Sequence, residues 1–311
     1  MNARALAILA LLVACACGRA VPAPAGERRL VVGFSQCNGA EPWRVLFDKE
    51  LRAEAAKLGV ELRYSDAQND EEQQRAHVRE FTAHEVDALL VSPKDAQTQT
   101  AAIEAAFDAK IPVFVLDRGI HSEKYTSYVG GDNRAIGRLA GEHAVELLKG
   151  KGDVVELWGI RTSTPAQDRH DGFREALAKA PGIRVVAEQE AAWFQDDARR
   201  LMLDLLDAHE SIDLVYAHND PMAVGAWLAA KEKGREKSIA FLGIDGNPGP
   251  EGGCQAVLDG RLAATFLYPT PGARALDLAV ALLRDGKAPP KEVLLPTVAI
   301  TAKNAGAYVA R

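Results

Sequence analysis

The chain has 311 residues, 48% hydrophobic and 26% charged, with a formal net charge of −6. The length suits two ordinary domains, and the composition is that of a soluble globular protein. No basic run or basic excess is present, so a nucleic-acid partner is not expected.

Arg4 precedes an apolar run, residues 5–14, that is too short to span a bilayer and reads as an export signal. It ends in Leu12-Val13-Ala14-Cys15, which matches the bacterial lipobox and so implies cleavage before Cys15 and lipid attachment to its thiol. The alternative is an ordinary secretory signal cut after Ala20 or Ala25, and Cys17 is a poorer lipidation site than Cys15. Residues 15–29 are small, Pro-containing and charged at the end, as in a tether.

From Leu30 onward, apolar runs of about five residues alternate with longer amphipathic segments. Strands are predicted at 30–35, 60–64, 88–91, 112–116, 154–157, 184–187, 214–217, 240–244 and 263–267, with a shorter piece at 127–129. Helices are predicted at 43–58, 71–84, 96–109, 133–149, 166–180, 196–208, 221–233, 252–259 and 272–284. Strict βα alternation predicts an α/β fold of parallel sheets with helices on both faces. Two doubly wound sheets are expected rather than one, because single cores rarely grow past ~250–300 residues and the rhythm restarts at Val154 after a long helix.

Motifs for nucleotide phosphates, dinucleotides, serine hydrolysis and zinc proteolysis are missing. Cys37 and Cys254 have no C-x-x-C spacing, so neither zinc nor redox chemistry is signalled, and a bond between them stays open. No cofactor and no metal are expected. His77 and His84, two helical turns apart, read as a solvated helix face, and Trp158 and Trp227 as packing residues.

Several polar and aromatic residues fall where predicted strands end. These are Trp43 and Arg44, Asp117 and Arg118, Arg169, Trp193, Asn219 and Asp245. Ligands of open parallel sheets bind beyond the carboxyl ends of the strands. Asp accepts, Arg donates, and a sugar hydroxyl does both; the tryptophans suit the apolar C–H faces of a sugar ring. Locally, Asp117-Arg118 reads equally well as a loop salt bridge; Asn219 and Asp220, which follow VYAH, also read as helix caps, and Asp245-Gly246 as a turn.

The segments VGFSQ, PWR, LLVSP, IPVFVLDR, GGDN, GRLAGE, QDRHDGF, VYAHNDPMAVGA, GIDG and LDGRLAAT run in order from Val32 to Thr265. With them the chain resembles the periplasmic binding proteins of sugar importers, in the ribose, galactose and galactofuranose group. The resemblance implies two α/β lobes joined by three crossings, with a monosaccharide between them. The expected division is residues 30–131 and 268–294 for the amino-terminal lobe, and 132–267 and 295–311 for the other. It also implies that Trp43, Arg44, Asp117 and Arg118 approach the sugar from the first lobe, and Arg169, Asn219, Asp245 and Trp193 from the second. Tyr268 falls where ribose binders carry Gln. The Trp-Arg pair and His218 resemble the galactofuranose branch, whereas Glu41 and the residues preceding it depart from the family pattern. Cys37 and Cys254 are implied to lie in different lobes and to be unbonded.

The expected function is therefore a lipid-anchored monosaccharide receptor at the cell envelope, in the periplasm or on the outer face of the cell membrane. It is expected to be monomeric, to touch the membrane through its anchor alone, and to deliver sugar to an ABC permease. A sensor that reports sugar to a chemoreceptor or sensor kinase is the alternative. A repressor on the same core would need an amino-terminal helix-turn-helix where this chain has an export signal. A glycosidase would need a carboxylate pair such as Asp117 and Asp245, but both are better read as hydroxyl acceptors, so no enzyme is expected.

Overall fold

The structure is a computed structural model and describes residues 28–310. The export signal, Cys15, and the tether up to residue 27 lie outside the described residues. The first half runs β1 (Val31–Gln36), α1 (Pro42–Leu58), β2 (Glu61–Asp66), α2 (Glu71–Ala83), β3 (Ala88–Val91), α3 (Ala96–Asp108), β4 (Val113–Leu116) and β5 (Ser127–Gly131). β3 and β4 are buried along their whole length, as strands covered on both faces must be. α1 starts on Pro42, whose missing N–H costs nothing in the first turn. It stops at Gly59, which takes the left-handed conformation at φ 68°. Asp70 and Asp95 cap α2 and α3 by accepting the amides of Gln73 and Thr98.

The second half runs α4 (Asn133–Leu148), β6 (Lys151–Trp158), α5 (Thr164–Leu177), β7 (Gly182–Glu190), α6 (Gln195–Ala208), β8 (Leu214–Ala217), α7 (Asp220–Glu232), β9 (Ala240–Asp245), α8 (Gly253–Leu258) and β10 (Ala264–Leu267). It closes with α9 (Gly272–Asp285), β11 (Glu292–Leu295), β12 (Ala299–Thr301) and α10 (Gly306–Val309).

These strands form two six-stranded sheets, with orders β11-β5-β4-β3-β1-β2 and β12-β10-β9-β8-β6-β7. All pairings are parallel except β10 with β12. The protein is thus two parallel α/β lobes. The chain passes between them after β5, after β10 and after β11. α9 returns to pack on α1, and α4 packs on α5. Cys37 follows β1 in one lobe and Cys254 sits on α8 in the other; both are buried and no disulfide joins them.

Three elements depart from the sequence reading. β7 spans nine residues where 184–187 was expected, and pairs with β6 along that strand's full length around a bulge at Val154/Val155. It is a sheet edge whose residues are all exposed or half-exposed except Ile183, so its flanks carry no strong apolar run. β11 and β12 were not anticipated as strands. Each is a short edge strand of four or three residues, and β11 alternates exposed and half-buried positions. Their pairing is set by the neighbouring sheets more than by their own composition.

Candidate functional site

The carboxyl ends of the strands in the two sheets face a cleft between the lobes. All nine residues singled out in the sequence line its inner chamber: Trp43, Arg44, Asp117, Arg118, Arg169, Trp193, Asn219, Asp245 and Tyr268. Glu41 and Pro165 complete the wall.

α1 brings Trp43 and Arg44 to the first-lobe side. The Trp43 ring stacks on Tyr268 with centroids 5.1 Å apart, and its Nε1 donates to the Tyr268 carbonyl at 2.8 Å. Arg44 is almost wholly buried, and every nitrogen of its guanidinium donates a hydrogen bond. It donates to Gln36 Oε1 at 2.9 Å, Ser92 Oγ at 3.1 Å, Glu41 Oε1 at 3.2 Å and Asp117 Oδ2 at 3.0 Å.

The close ion pair of Asp117 is therefore with Arg44. Its sequence neighbour Arg118 stands 3.8 Å away at Nε and is held instead by the Lys94 carbonyl at 2.7 Å. The loop salt bridge considered for Asp117-Arg118 is not a hydrogen-bonded pair at that distance. Burial alone would raise the Asp117 carboxyl. Arg44 and Arg118, with the hydroxyl of Tyr268 donating to Oδ1 at 2.7 Å, hold it below the usual carboxylate value.

Arg169, Trp193, Asn219 and Asp245 come from the second lobe. Arg169 is on α5, and its placement depends on two close helix contacts. A Cβ on Gly137 would lie 2.1 Å from the Arg169 carbonyl oxygen, and one on Gly172 would lie 2.0 Å from that of Arg134. Only glycine admits this approach of α4 to α5. Arg169 then donates Nε to Asn133 Oδ1 at 2.9 Å and Nη1 to the His218 carbonyl at 2.5 Å. Its guanidinium lies 4.5 Å from the Tyr268 ring centroid and 5.5 Å from that of Trp193. Asn219 caps α7 through the Met222 amide and donates to the Trp193 carbonyl at 3.0 Å. It therefore both caps the helix and lines the cleft.

Asp245 ends β9 beside Asp220, which accepts from the Gly246 amide and from the Thr265 hydroxyl. Burial, and the adjacent Asp220 carboxylate, push Asp245 well above the usual carboxylate value and favour its protonated form. Asp117, Trp193 and Asp245 all have positive φ, at 66°, 77° and 135°. Such backbone costs of order 1–3 kcal/mol per residue and clusters where a site needs a particular side-chain direction. Three buried side-chain atoms of the cleft have no hydrogen-bond partner: Arg118 Nε, Trp193 Nε1 and Asp245 Oδ2. Buried polar groups are rarely left so.

Sequence reasoning did not assign roles to Asn133, Gln36 or Ser92. Asn133 was visible in GGDN, directly after the end of β5. It joins the lobes' polar networks by donating to the Tyr268 hydroxyl at 3.3 Å while accepting from Arg169. The His218 side chain does not line the cleft. It is buried behind it, at 2.9 Å from Glu156 Oε1, and His170 Nδ1 approaches the same carboxylate at 3.0 Å. Glu156, His170 and Glu188 are the one group of possible metal-ligand type among the described residues. Glu188 is already occupied by Trp158 Nε1 at 3.1 Å, and Arg174 lies 3.6 Å from it.

A sequence profile described as periplasmic binding protein domain matches residues 32–288. The chain belongs to the periplasmic binding protein family. It is 35% identical to the galactofuranose-binding protein YtfQ of Escherichia coli, over 91% of this chain and 92% of that protein. Among solved structures of the family, the fructose-binding periplasmic domain of a hybrid two-component system superposes with a TM-score of 0.86 at 41% identity, covering 90% of this chain and 93% of that one. A galactofuranose-binding protein superposes with a TM-score of 0.86 at 34% identity, covering 90% and 97%. The two-lobed architecture described above is that of the type I members of this family. No described helix is long and apolar enough to cross a membrane.

Proposed function

We propose that the protein is the substrate-binding lipoprotein of a carbohydrate ABC importer and holds a monosaccharide in the interlobe cleft. The observation that carries this reading is the unmet polarity of the cleft. Arg118 Nε and Trp193 Nε1 are buried donors without acceptors, and Asp245 Oδ2 is a buried oxygen without a partner. Hydroxyls, which donate and accept, meet all three, and each hydrogen bond to a charged group contributes about 1.5–3 kcal/mol. The rings of Trp193, Trp43 and Tyr268 supply the apolar faces a sugar needs. Likeness to galactofuranose- and fructose-binding proteins favours a hexose, with a furanose ring as the first candidate.

We read the cleft as a site of binding without turnover, in line with relatives that are sugar-binding proteins. Asp117 is locked by Arg44 and Tyr268 as a fixed acceptor, which leaves it unsuited to proton transfer. The protein acts as a monomer outside the inner membrane, tethered through lipid on Cys15, and delivers the sugar to a permease. Cys15→Ser is expected to abolish palmitate labelling, and retained labelling contradicts the anchor.

A sensing role is the second reading, favoured by the likeness to a periplasmic domain of a two-component system. Labelled-sugar uptake in a strain lacking the protein separates the two, because loss of uptake requires transport. The binding claim is tested by a thermal-shift panel of D-galactose, D-fructose, D-ribose, L-arabinose and myo-inositol, since a ligand bound only by the folded state raises its melting temperature. At least one hexose is expected to raise it; no shift with any member contradicts the reading.

A further inference from the structure

Beside the inner chamber lies a second one, and the two differ in size and chemistry. The inner chamber has a cavity volume of about 20 Å³ and is ringed by charged and aromatic groups; the outer has about 580 Å³. They share Glu41 and Trp193 as walls, so they are adjacent. Most of the outer wall is apolar. Pro42 and Leu46 of α1 contribute from the first lobe, and Phe194, Pro221, Val224 and Pro248 from the second. Phe194 is one of only five exposed large hydrophobic side chains among the described residues, and it sits at this mouth. The outer volume falls within the range of about 300–1,000 Å³ usual for small-molecule sites.

A passage for free sugars gains nothing from such walls. A fully hydroxylated ring leaving water for apolar surface loses hydrogen bonds there. We propose that the preferred ligand is a monosaccharide carrying an apolar substituent, an alkyl or aryl glycoside. The sugar ring sits in the inner chamber and the aglycone in the outer one, with the substituent leaving the ring between Glu41 and Trp193. This rests on the sugar-binding reading above and names its substrate class. Apolar area removed from water contributes to affinity in proportion to the area, so the substituent adds binding that the free sugar lacks.

The test is calorimetric titration of the full chain with paired methyl and p-nitrophenyl glycosides of D-galactopyranose, D-galactofuranose and L-arabinofuranose, with the free sugars and lactose alongside. For at least one sugar the nitrophenyl glycoside is expected to bind about tenfold or more tightly than the methyl glycoside. Phe194→Ala and Leu46→Gln are expected to remove most of that gain while leaving the methyl glycoside within about twofold. Both side chains lie outside the inner chamber, and unchanged melting temperatures establish that the variants fold. Equal or tighter binding of the methyl member of every pair that binds overturns the inference but leaves the sugar reading standing. A gain with lactose as large as that with the aryl group also overturns it, because the outer chamber then takes a second sugar. If no free sugar or glycoside binds, this inference fails, and the thermal-shift panel decides whether the sugar reading fails with it.

Discussion

Arg44 and Arg118 show how two arginines in one cleft do different work. Arg44 has four side-chain partners and neutralises Asp117 in a buried setting. Removing one partner of a buried ion pair costs about 3–5 kcal/mol. Arg44→Ala is therefore expected to lower folding stability by that order, read by chemical denaturation, and a loss under about 1 kcal/mol would contradict its structural role. Glu156 gives a pH prediction. Burial would raise its carboxyl, but hydrogen bonds from His170 and His218 bring it down to about 2. The unfolded chain protonates this group near its ordinary value of about 4.5 while the folded chain does not until about 2. Its stabilisation is thus complete above about pH 4.5 and disappears as pH falls from there towards 2, a loss of roughly 3 kcal/mol. Burial also lowers the His218 value. The unfolded state therefore takes up a proton below about pH 6.5 that the folded state resists, a change of the same sign. Denaturation at pH 7 and pH 3.5 is expected to show a smaller loss in Glu156→Gln than in wild type; equal losses contradict the assignment. The residue-scale signal in the sequence was uneven. Strand-end Asp, Arg and Trp stood out because their types suit a ligand. The Arg44–Asp117 pair did not, since partners 73 residues apart are joined only by the fold.

The α4–α5 contact is the element on which Arg169 depends. Two glycines, Gly137 and Gly172, let the helices approach until a Cβ on either would overlap a carbonyl oxygen of the other helix. Gly137→Ala is expected to push α5 outward, destabilise by about 1–3 kcal/mol as overpacking does, and weaken ligand binding through displacement of Arg169. Wild-type affinity together with wild-type melting would contradict this. Most elements were legible because their cause is local: apolar runs of strand length, capping Asp and Asn residues, and Gly59 after α1. β11 and β12 were not, because they are edge strands whose partners lie far away in sequence, at Tyr128–Gly131 and Ala264–Phe266. GRLAGE and QDRHDGF contain the two contact glycines, but nothing in either segment alone marks them as facing each other.

At the scale of the whole molecule, the two lobes meet around a chamber whose lining residues are all buried. A monosaccharide enters only if the lobes part. The three connections after β5, β10 and β11 are where backbone rotation can occur at element ends. Small-angle scattering is expected to give a radius of gyration that falls when a tight-binding sugar is added. An unchanged value at saturation would contradict hinge closure. The alternation of strands and helices made two sheets readable in the sequence. The closeness of the lobes was not, because it depends on the Trp43–Tyr268 stack and the Asn133 bridge across the crossings.

That sugar is held at the cleft by Arg118 and its neighbours is tested most directly by calorimetric titration of wild type and Arg118→Ala, using the sugar that stabilises wild type most. Arg118 Nε is a buried charged donor without a full partner, and only Nη1 is committed to the Lys94 carbonyl. Its removal is predicted to weaken binding by about 1.5–3 kcal/mol, roughly ten- to over a hundredfold, in a variant that still melts cooperatively. Full wild-type affinity in that folded variant would contradict the site at its centre.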